Sequence, residues 1–116
     1  MVDAREGSAP APLWEVEVTC PDTDTARAIA RAAVAARLAA CGNIMAQVES
    51  HYHWAGEIRT DTEVLLRLKT KPALFVGLCA VICDHHPNEL PAITALPAVA
   101  LGPGVAAWLS METGAS

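Results

Sequence analysis

One short stretch of the chain holds three kinds of metal-binding side chain, in the order Cys83, Asp84, His85 and His86, directly ahead of Pro87. Thiolate, carboxylate and imidazole groups are the side chains that bind copper and zinc in proteins. The alternative is an ordinary helix end, where a protonated imidazole is favoured by the helix dipole and bonds the last carbonyls. Adjacent helical residues point about 100° apart, so one histidine, with ligands from elsewhere, makes the easier metal site. Both interpretations stay open on the residues alone.

A second pair of histidines, His51 and His53, lies in a segment with the pattern of a strand and shares one strand face with Glu49. A His-x-His pair on a strand can chelate a metal ion. The sequence favours the plainer interpretation of two solvent-facing imidazoles on a long hairpin, because a polar strand face ordinarily meets water.

The four cysteines, Cys20, Cys41, Cys79 and Cys83, form neither a Cys-x-x-Cys pair nor a recognisable disulfide framework. Their apolar neighbours predict buried free thiols in a reducing compartment, with Cys79 and Cys83 on neighbouring turns of one helix face. A Cys20–His85 dyad would make the protein a hydrolase or isomerase. Only the residue types support this, since no nucleophile–base–orienter pattern is visible. The sequence therefore predicts a protein that is not an enzyme.

Length and charge exclude several classes of protein. The 116 residues predict a single domain over residues 13–111, between a flexible N-terminal tail of residues 1–12 and a C-terminal tail of residues 112–116. A formal net charge of −5 argues against a nucleic-acid partner. The apolar runs are far shorter than the ~20 residues that span a bilayer, and no signal peptide is visible. The sequence thus predicts a cytoplasmic protein with no membrane insertion.

The hydrophobic pattern predicts the elements that position these residues. Residues 13–20 alternate between apolar and polar side chains, as in a half-buried strand. Residues 23–41 carry small apolar side chains at helical spacing, and Gly42 is predicted to end that helix. A long strand is predicted over residues 43–54, a turn over 55–61 and a second strand over 62–70.

The second half of the chain completes the pattern. A helix is predicted to begin near Pro72 and stop at Pro87, and its lack of a polar face suggests cover by a partner subunit. Residues 92–101 predict a fourth strand in which Pro97 forces an edge position or a bulge, and residues 102–111 a short last helix. The order predicts an α+β protein with a ferredoxin-like βαββαβ antiparallel sheet, two helices on one face and a short C-terminal helix.

As a set, these residues resemble the CutA family, the divalent-cation tolerance proteins. The resemblance covers about residues 16–109 and is carried by TCPDTDTARAIARAAVAARLAACGNI, SHYHWAGEIRTDTEVLLRLKT, HHPNELPAI and the pair Trp108-Leu109. It implies a ferredoxin-like homotrimer in which the long hairpin arms pair between subunits. It also implies binding of divalent metal, most often copper, and no established catalytic reaction.

When the family's metal site is matched to this sequence residue by residue, the resemblance implies that His85 and His86 are metal ligands. It implies Glu63 as a further ligand. The cysteine associated with copper in some family members aligns with Val18, which has no ligand atom. Cys20, two residues later on the same strand face, is the candidate to replace it, and its thiolate would favour copper. The resemblance also assigns residues to the subunit cleft and interface, namely Tyr52, Trp54, Lys69, Asn88 and Trp108.

The chain departs from the family pattern at three positions. Asn88 stands where family members often have a tyrosine, Val105 where an aromatic residue is common, and Glu57 where a lysine is common. The first hypothesis is a homotrimer that binds copper or another divalent metal ion and serves cation tolerance and homeostasis. The alternative is a signalling trimer similar to the PII proteins, with a small organic ligand or a protein partner in the inter-subunit cleft. The loss of the tyrosine at Asn88 leans towards this alternative.

Overall fold

The computed structural model describes residues 12–114. Its elements in chain order are β1 Trp14–Cys20, α1 Thr23–Ala35, β2 Cys41–Trp54, β3 Glu57–Thr70, a 3-10 turn Pro72–Leu74 that leads into α2 Phe75–His85, β4 Thr94–Pro97 and α3 Val105–Glu112. The strands form one antiparallel sheet in the order β2-β3-β1-β4. The predicted α+β class and ferredoxin-like order are confirmed, and Pro97 lies in an edge strand as expected.

The core lies on one face of this sheet, where α1 and α2 pack. Alternate residues of β1 and β3 are buried, and the register pairs Val16 with Leu68 and Val18 with Leu66. The helices add five buried side chains to the same cluster, Ala26, Ile29, Ala33, Leu78 and Ile82. Because strand residues alternate between faces, the charged residues of β1 and β3 lie on the opposite face. There Arg67 Nε lies 2.6 Å from a Glu17 carboxylate oxygen.

Helix α1 ends at Ala35, six residues before the end predicted from its apolar stripe. Arg37 takes a left-handed conformation with φ of 62°. The Arg37 N–H then donates to Val34 O at 3.1 Å and the Leu38 N–H to Ala33 O at 3.0 Å, which is a Schellman ending. The predicted role of Gly42 as the helix exit is wrong, since this glycine belongs to β2.

The hairpin is longer than predicted, because residues 57–61 extend β3 instead of forming a turn. Only Ala55 and Gly56 connect the arms, with φ of 52° and 79°, as a tight two-residue hairpin turn requires. Pairing continues to Trp54 and Glu57 at the tip. A bulge between Met45 and Val48 shifts the register of β2 by one residue. Each arm therefore reaches far beyond the helix-covered core.

The chain ends show how far the packed domain extends. The predicted N-terminal tail lies outside the described residues apart from Pro12. At the other end, α3 includes Glu112, the Gly114 N–H donates to Arg37 O at 2.8 Å, and Lys71 Nζ donates to Gly114 O at 2.8 Å. Ordered contacts thus continue past residue 111, into the segment predicted as a tail.

Candidate functional site

A groove of about 860 Å³ lies between the outer half of the hairpin and the segment that follows α2. It brings together four residues that the family resemblance assigned to the metal site or the subunit cleft, Tyr52, Trp54, Glu63 and Asn88. The β2–β3 register explains the hairpin side of the groove. Beyond the bulge, the even-numbered residues of β2 face the same side as Glu63, because Val48 pairs with Glu63 and the side chains then alternate.

Sequence reasoning missed two charged residues of the groove, Arg59 and Glu89. Arg59 pairs directly with Tyr52 across the hairpin, so a correct hairpin length would have placed it there. The Tyr52 hydroxyl donates to an Asp61 carboxylate oxygen. This hydrogen bond is the main reason that the pKa of Tyr52 is raised, with the negative charges of Asp61 and Glu63 adding to it. The groove therefore presents aromatic rings and carboxylates around a single guanidinium group.

His86 does not line this groove but bonds to two residues that do, Thr19 and Asn88, and it is buried, with 7% of its surface exposed. Its Nε2 lies 2.8 Å from Thr19 O, and its Nδ1 lies 3.1 Å from the Asn88 backbone nitrogen. A carbonyl only accepts and an N–H only donates, so Nε2 carries the proton and Nδ1 accepts. Both ring nitrogens are thereby engaged with the backbone. The prediction that His86 is a metal ligand is corrected, because no ring nitrogen is left for an ion in this geometry.

His85 is arranged in the opposite way, since its side chain is exposed at the end of α2. Its Nδ1 lies 3.0 Å from Val81 O and donates to it. This bond is the helix-end role that the sequence offered as an alternative to metal binding. It also directs the lone pair of Nε2 away from the helix, so the two roles are compatible.

Cys20 is fully buried at the end of β1. Burial raises its pKa to about 11, and the negative charges of Asp22 and Glu63 contribute to the same shift. A reactive or metal-binding cysteine needs the thiolate form, which this environment opposes. Among residues 12–114, no hydrogen bond joins Cys20 to His85. The geometry does not support the proposed hydrolase or isomerase dyad.

In the native protein, we expect Cys20 to resist alkylation up to strongly alkaline pH. With a pKa of about 11, its thiolate fraction at pH 8 is about one in a thousand, and it rises about tenfold per pH unit. Mass spectrometry after timed iodoacetamide treatment measures each cysteine separately. Cys83 is the matched control because it is exposed. A Cys20 that reacts as fast as Cys83 at pH 8 would contradict the buried, protonated thiol.

Two residues predicted at the cleft lie elsewhere in the single chain. Lys69 Nζ lies 3.5 Å from a Glu15 carboxylate oxygen and 3.4 Å from Asn43 Oδ1, near the start of β2. Trp108 lies on α3 with 37% of its surface exposed. Neither lines the groove, and their contact with another subunit stays a prediction.

The histidine pair of the hairpin is exposed, as the sequence favoured. His51 Nε2 lies 2.7 Å from a Glu49 carboxylate oxygen, and His51 Nδ1 lies 3.0 Å from Thr60 Oγ1. Over the part of the chain that the structure describes, no group of three or more His, Cys, Asp or Glu side chains is placed to hold a metal ion. The described residues thus supply separate ligands and no complete metal site.

Comparison with known proteins decides the family. The model of the family described as CutA1 divalent ion tolerance protein matches residues 15–112. The chain belongs to this family. The divalent-cation tolerance protein CutA of Thermus thermophilus is 40% identical over 99 residues, which cover 85% of this chain and 96% of that protein. The solved Thermus CutA1 structure superimposes with a TM-score of 0.85 at 39% identity, covering 88% of this chain and 99% of that one.

Other CutA relatives differ in length and location. Human Protein CutA is 41% identical over 95 residues, which cover 82% of this chain but only 53% of the human protein. An Arabidopsis thaliana relative, 33% identical over 94% of this chain, is named chloroplastic. An Archaeoglobus fulgidus structure, 26% identical with a TM-score of 0.83 over 86% of this chain and 97% of that one, is described as periplasmic. The prediction of a cytoplasmic localisation is therefore wrong, because CutA relatives are described as chloroplastic and periplasmic. Within residues 12–114, no helix is long and apolar enough to cross a membrane.

Proposed function

We propose that this chain binds a divalent metal ion, with copper as the first candidate, and contributes to cation tolerance as a homotrimer. Two separate donor groups on the chain support the proposal. His85 keeps Nε2 for an ion, and Glu63 is half-buried in the groove. Imidazole and carboxylate suit copper and zinc, which take four or more ligands in most sites. A neighbouring subunit would supply the remaining ligands.

The hairpin supports the trimeric part of the proposal. β2 is an edge strand of 14 residues, so one side of its backbone lacks a strand partner among residues 12–114. The tip of the hairpin carries large exposed apolar side chains, since 63% of the Trp54 surface in β2 and 72% of the Ile58 surface in β3 are exposed. Long apolar edge strands favour pairing with another chain. Pairing of this arm with a second subunit would cover both the edge and these side chains.

His85→Ala is expected to weaken Cu(II) binding by about tenfold or more, because loss of a group that only orients a ligand already costs about 10–100-fold and loss of the ligand should cost at least as much. Competition with a chromophoric Cu(II) chelator on the purified oligomer measures this affinity. His53→Ala is the matched control, because it removes an exposed imidazole from the strand face opposite the groove. Equal affinities for His85→Ala and the unsubstituted chain would contradict the assignment of His85. A monomeric mass by light scattering would contradict the trimer.

The groove itself favours a second candidate function. Its volume of about 860 Å³ lies in the range of small-molecule sites, and aromatic rings beside a few polar groups are typical of such sites. Asn88 leaves room where the family often has a tyrosine. In metal-stripped protein, an organic compound that raises the melting temperature where copper does not would favour this ligand-binding role over the metal-binding one.

A further inference from the structure

The outer side of α2 carries two cysteines that neither the groove nor the core explains. Leu78 and Ile82 occupy the inner side of this helix and are fully buried. Cys83, which the sequence predicted to be buried, is exposed, and Cys79, one turn earlier, is half-buried. Both are free thiols. The helix is regular from Phe75 to His85, so the two side chains lie on neighbouring turns of one face.

The spacing of these thiols suits a bridging metal ion better than a disulfide. Helical residues four apart have Cβ atoms about 5–6 Å apart, whereas a disulfide needs about 3.5–4.5 Å. Two metal–sulfur bonds of about 2.3 Å span the sulfurs without bending the helix. The two thiols also influence each other. Burial is the main cause that raises the pKa of Cys79, and the charge of Cys83 raises it further.

We propose that Cys79 and Cys83 form a dithiol site on the outer face of α2 that binds one soft, monovalent metal ion of the Cu(I) type per chain. Each thiol releases its proton, and the ion forms two metal–sulfur bonds without a change of oxidation state. The loaded site carries one net negative charge. Soft thiolates select Cu(I), whereas Zn²⁺ takes four ligands in structural sites. Within residues 12–114, no third His, Cys, Asp or Glu side chain joins this pair as a metal-binding group.

This site is separate from the divalent-metal site proposed above. It uses neither His85 nor Glu63, and the His85 Nδ1 is bound to Val81 O on its own helix. The two proposals can therefore fail independently. Loss of Cu(II) binding in His85→Ala would leave Cu(I) binding by the cysteine pair intact, and loss of Cu(I) binding in Cys83→Ser would leave the divalent site intact.

Titration of the full chain with Cu(I) against a Cu(I)-specific chelator tests the proposal. We expect one tightly held Cu(I) per chain and a loss of about tenfold or more in affinity for Cys83→Ser. Cys41→Ser is the matched control, because Cys41 is a half-buried thiol outside α2. Since binding releases two protons, the affinity should rise with pH, by up to about 100-fold per pH unit where both free thiols are protonated. Unchanged affinity in Cys83→Ser, or an equal loss in His85→Ala, would overturn the site.

A double variant separates geometry from thiol number. Cys83→Ser combined with Asp84→Cys keeps two thiols on α2, but residues five apart point about 140° away from each other. We expect this variant to bind Cu(I) as weakly as Cys83→Ser alone. In the unsubstituted chain, Cu(I) should protect Cys79 and Cys83 from alkylation and leave Cys41 reactive. Full affinity in the double variant, or no protection of Cys79 and Cys83, would contradict the proposal.

Discussion

His86→Ala is expected to lower the free energy of unfolding by about 2–4 kcal/mol, because a buried imidazole that ties two backbone segments together is lost. The substitution removes the donor to Thr19 O at 2.8 Å and the acceptor for the Asn88 N–H at 3.1 Å. It also leaves a cavity at a residue that is only 7% exposed. Urea denaturation at a fixed protein concentration measures the loss, since the stability of an oligomer depends on concentration.

His85→Ala is the matched control for this experiment, because it removes the same side chain from the next position. His85 is exposed, and its bond to Val81 O lies within its own helix. Substitutions of this kind usually change stability by about 0.5 kcal/mol or less. Equal destabilisation by the two substitutions would contradict the assignment of His86 as the structural histidine and His85 as the available one.

The sequence best predicts those elements whose hydrophobic pattern is visible within a short run of residues. The alternation in residues 13–20 correctly predicted β1 as a half-buried strand, and the strand predicted over residues 62–70 lies within β3. The end of α1 was missed because its apolar pattern continues through Leu38, while Arg37 adopts a left-handed conformation that usually belongs to glycine. The outer half of the hairpin was missed because residues 57–61 are mostly polar. Their pairing with residues 50–54 is visible only in three dimensions.

The residues of the candidate site were also predicted only in part from the sequence. The resemblance to CutA proteins, rather than any pattern in the residues, selected Tyr52, Trp54, Glu63 and Asn88, which the structure places around one groove. The sequence could not distinguish His85 from His86, because the partners of His86 are backbone groups that every residue type shares. It could not orient Cys83 either, since α2 is apolar on nearly every side and gives no clear inner face.

Gly42→Val is expected to lower the free energy of unfolding by about 3 kcal/mol, because it places side-chain atoms where β2 and α1 are already in contact. A Cβ atom at this position would lie 3.0 Å from Leu68 Cδ2 and 3.2 Å from Ala30 Cβ. Leu68 is fully buried in β3 and has little room to move. The contact also explains why residue 30 of α1 is small, since a larger side chain than that of Ala30 would separate the helix from the sheet.

Gly102→Ala gives the matched comparison for this prediction. The nearest atom to its added Cβ is Val105 Cγ2 at 4.0 Å, an ordinary contact. Because alanine restricts the unfolded chain more than glycine does, this substitution should be neutral or stabilise by up to about 1 kcal/mol. Thermal and urea denaturation of both variants measure the difference. If Gly42→Val proved as mild as Gly102→Ala, the close approach of α1 to β2 would not limit the side chain at residue 42. The glycine would then have to be explained by something other than packing.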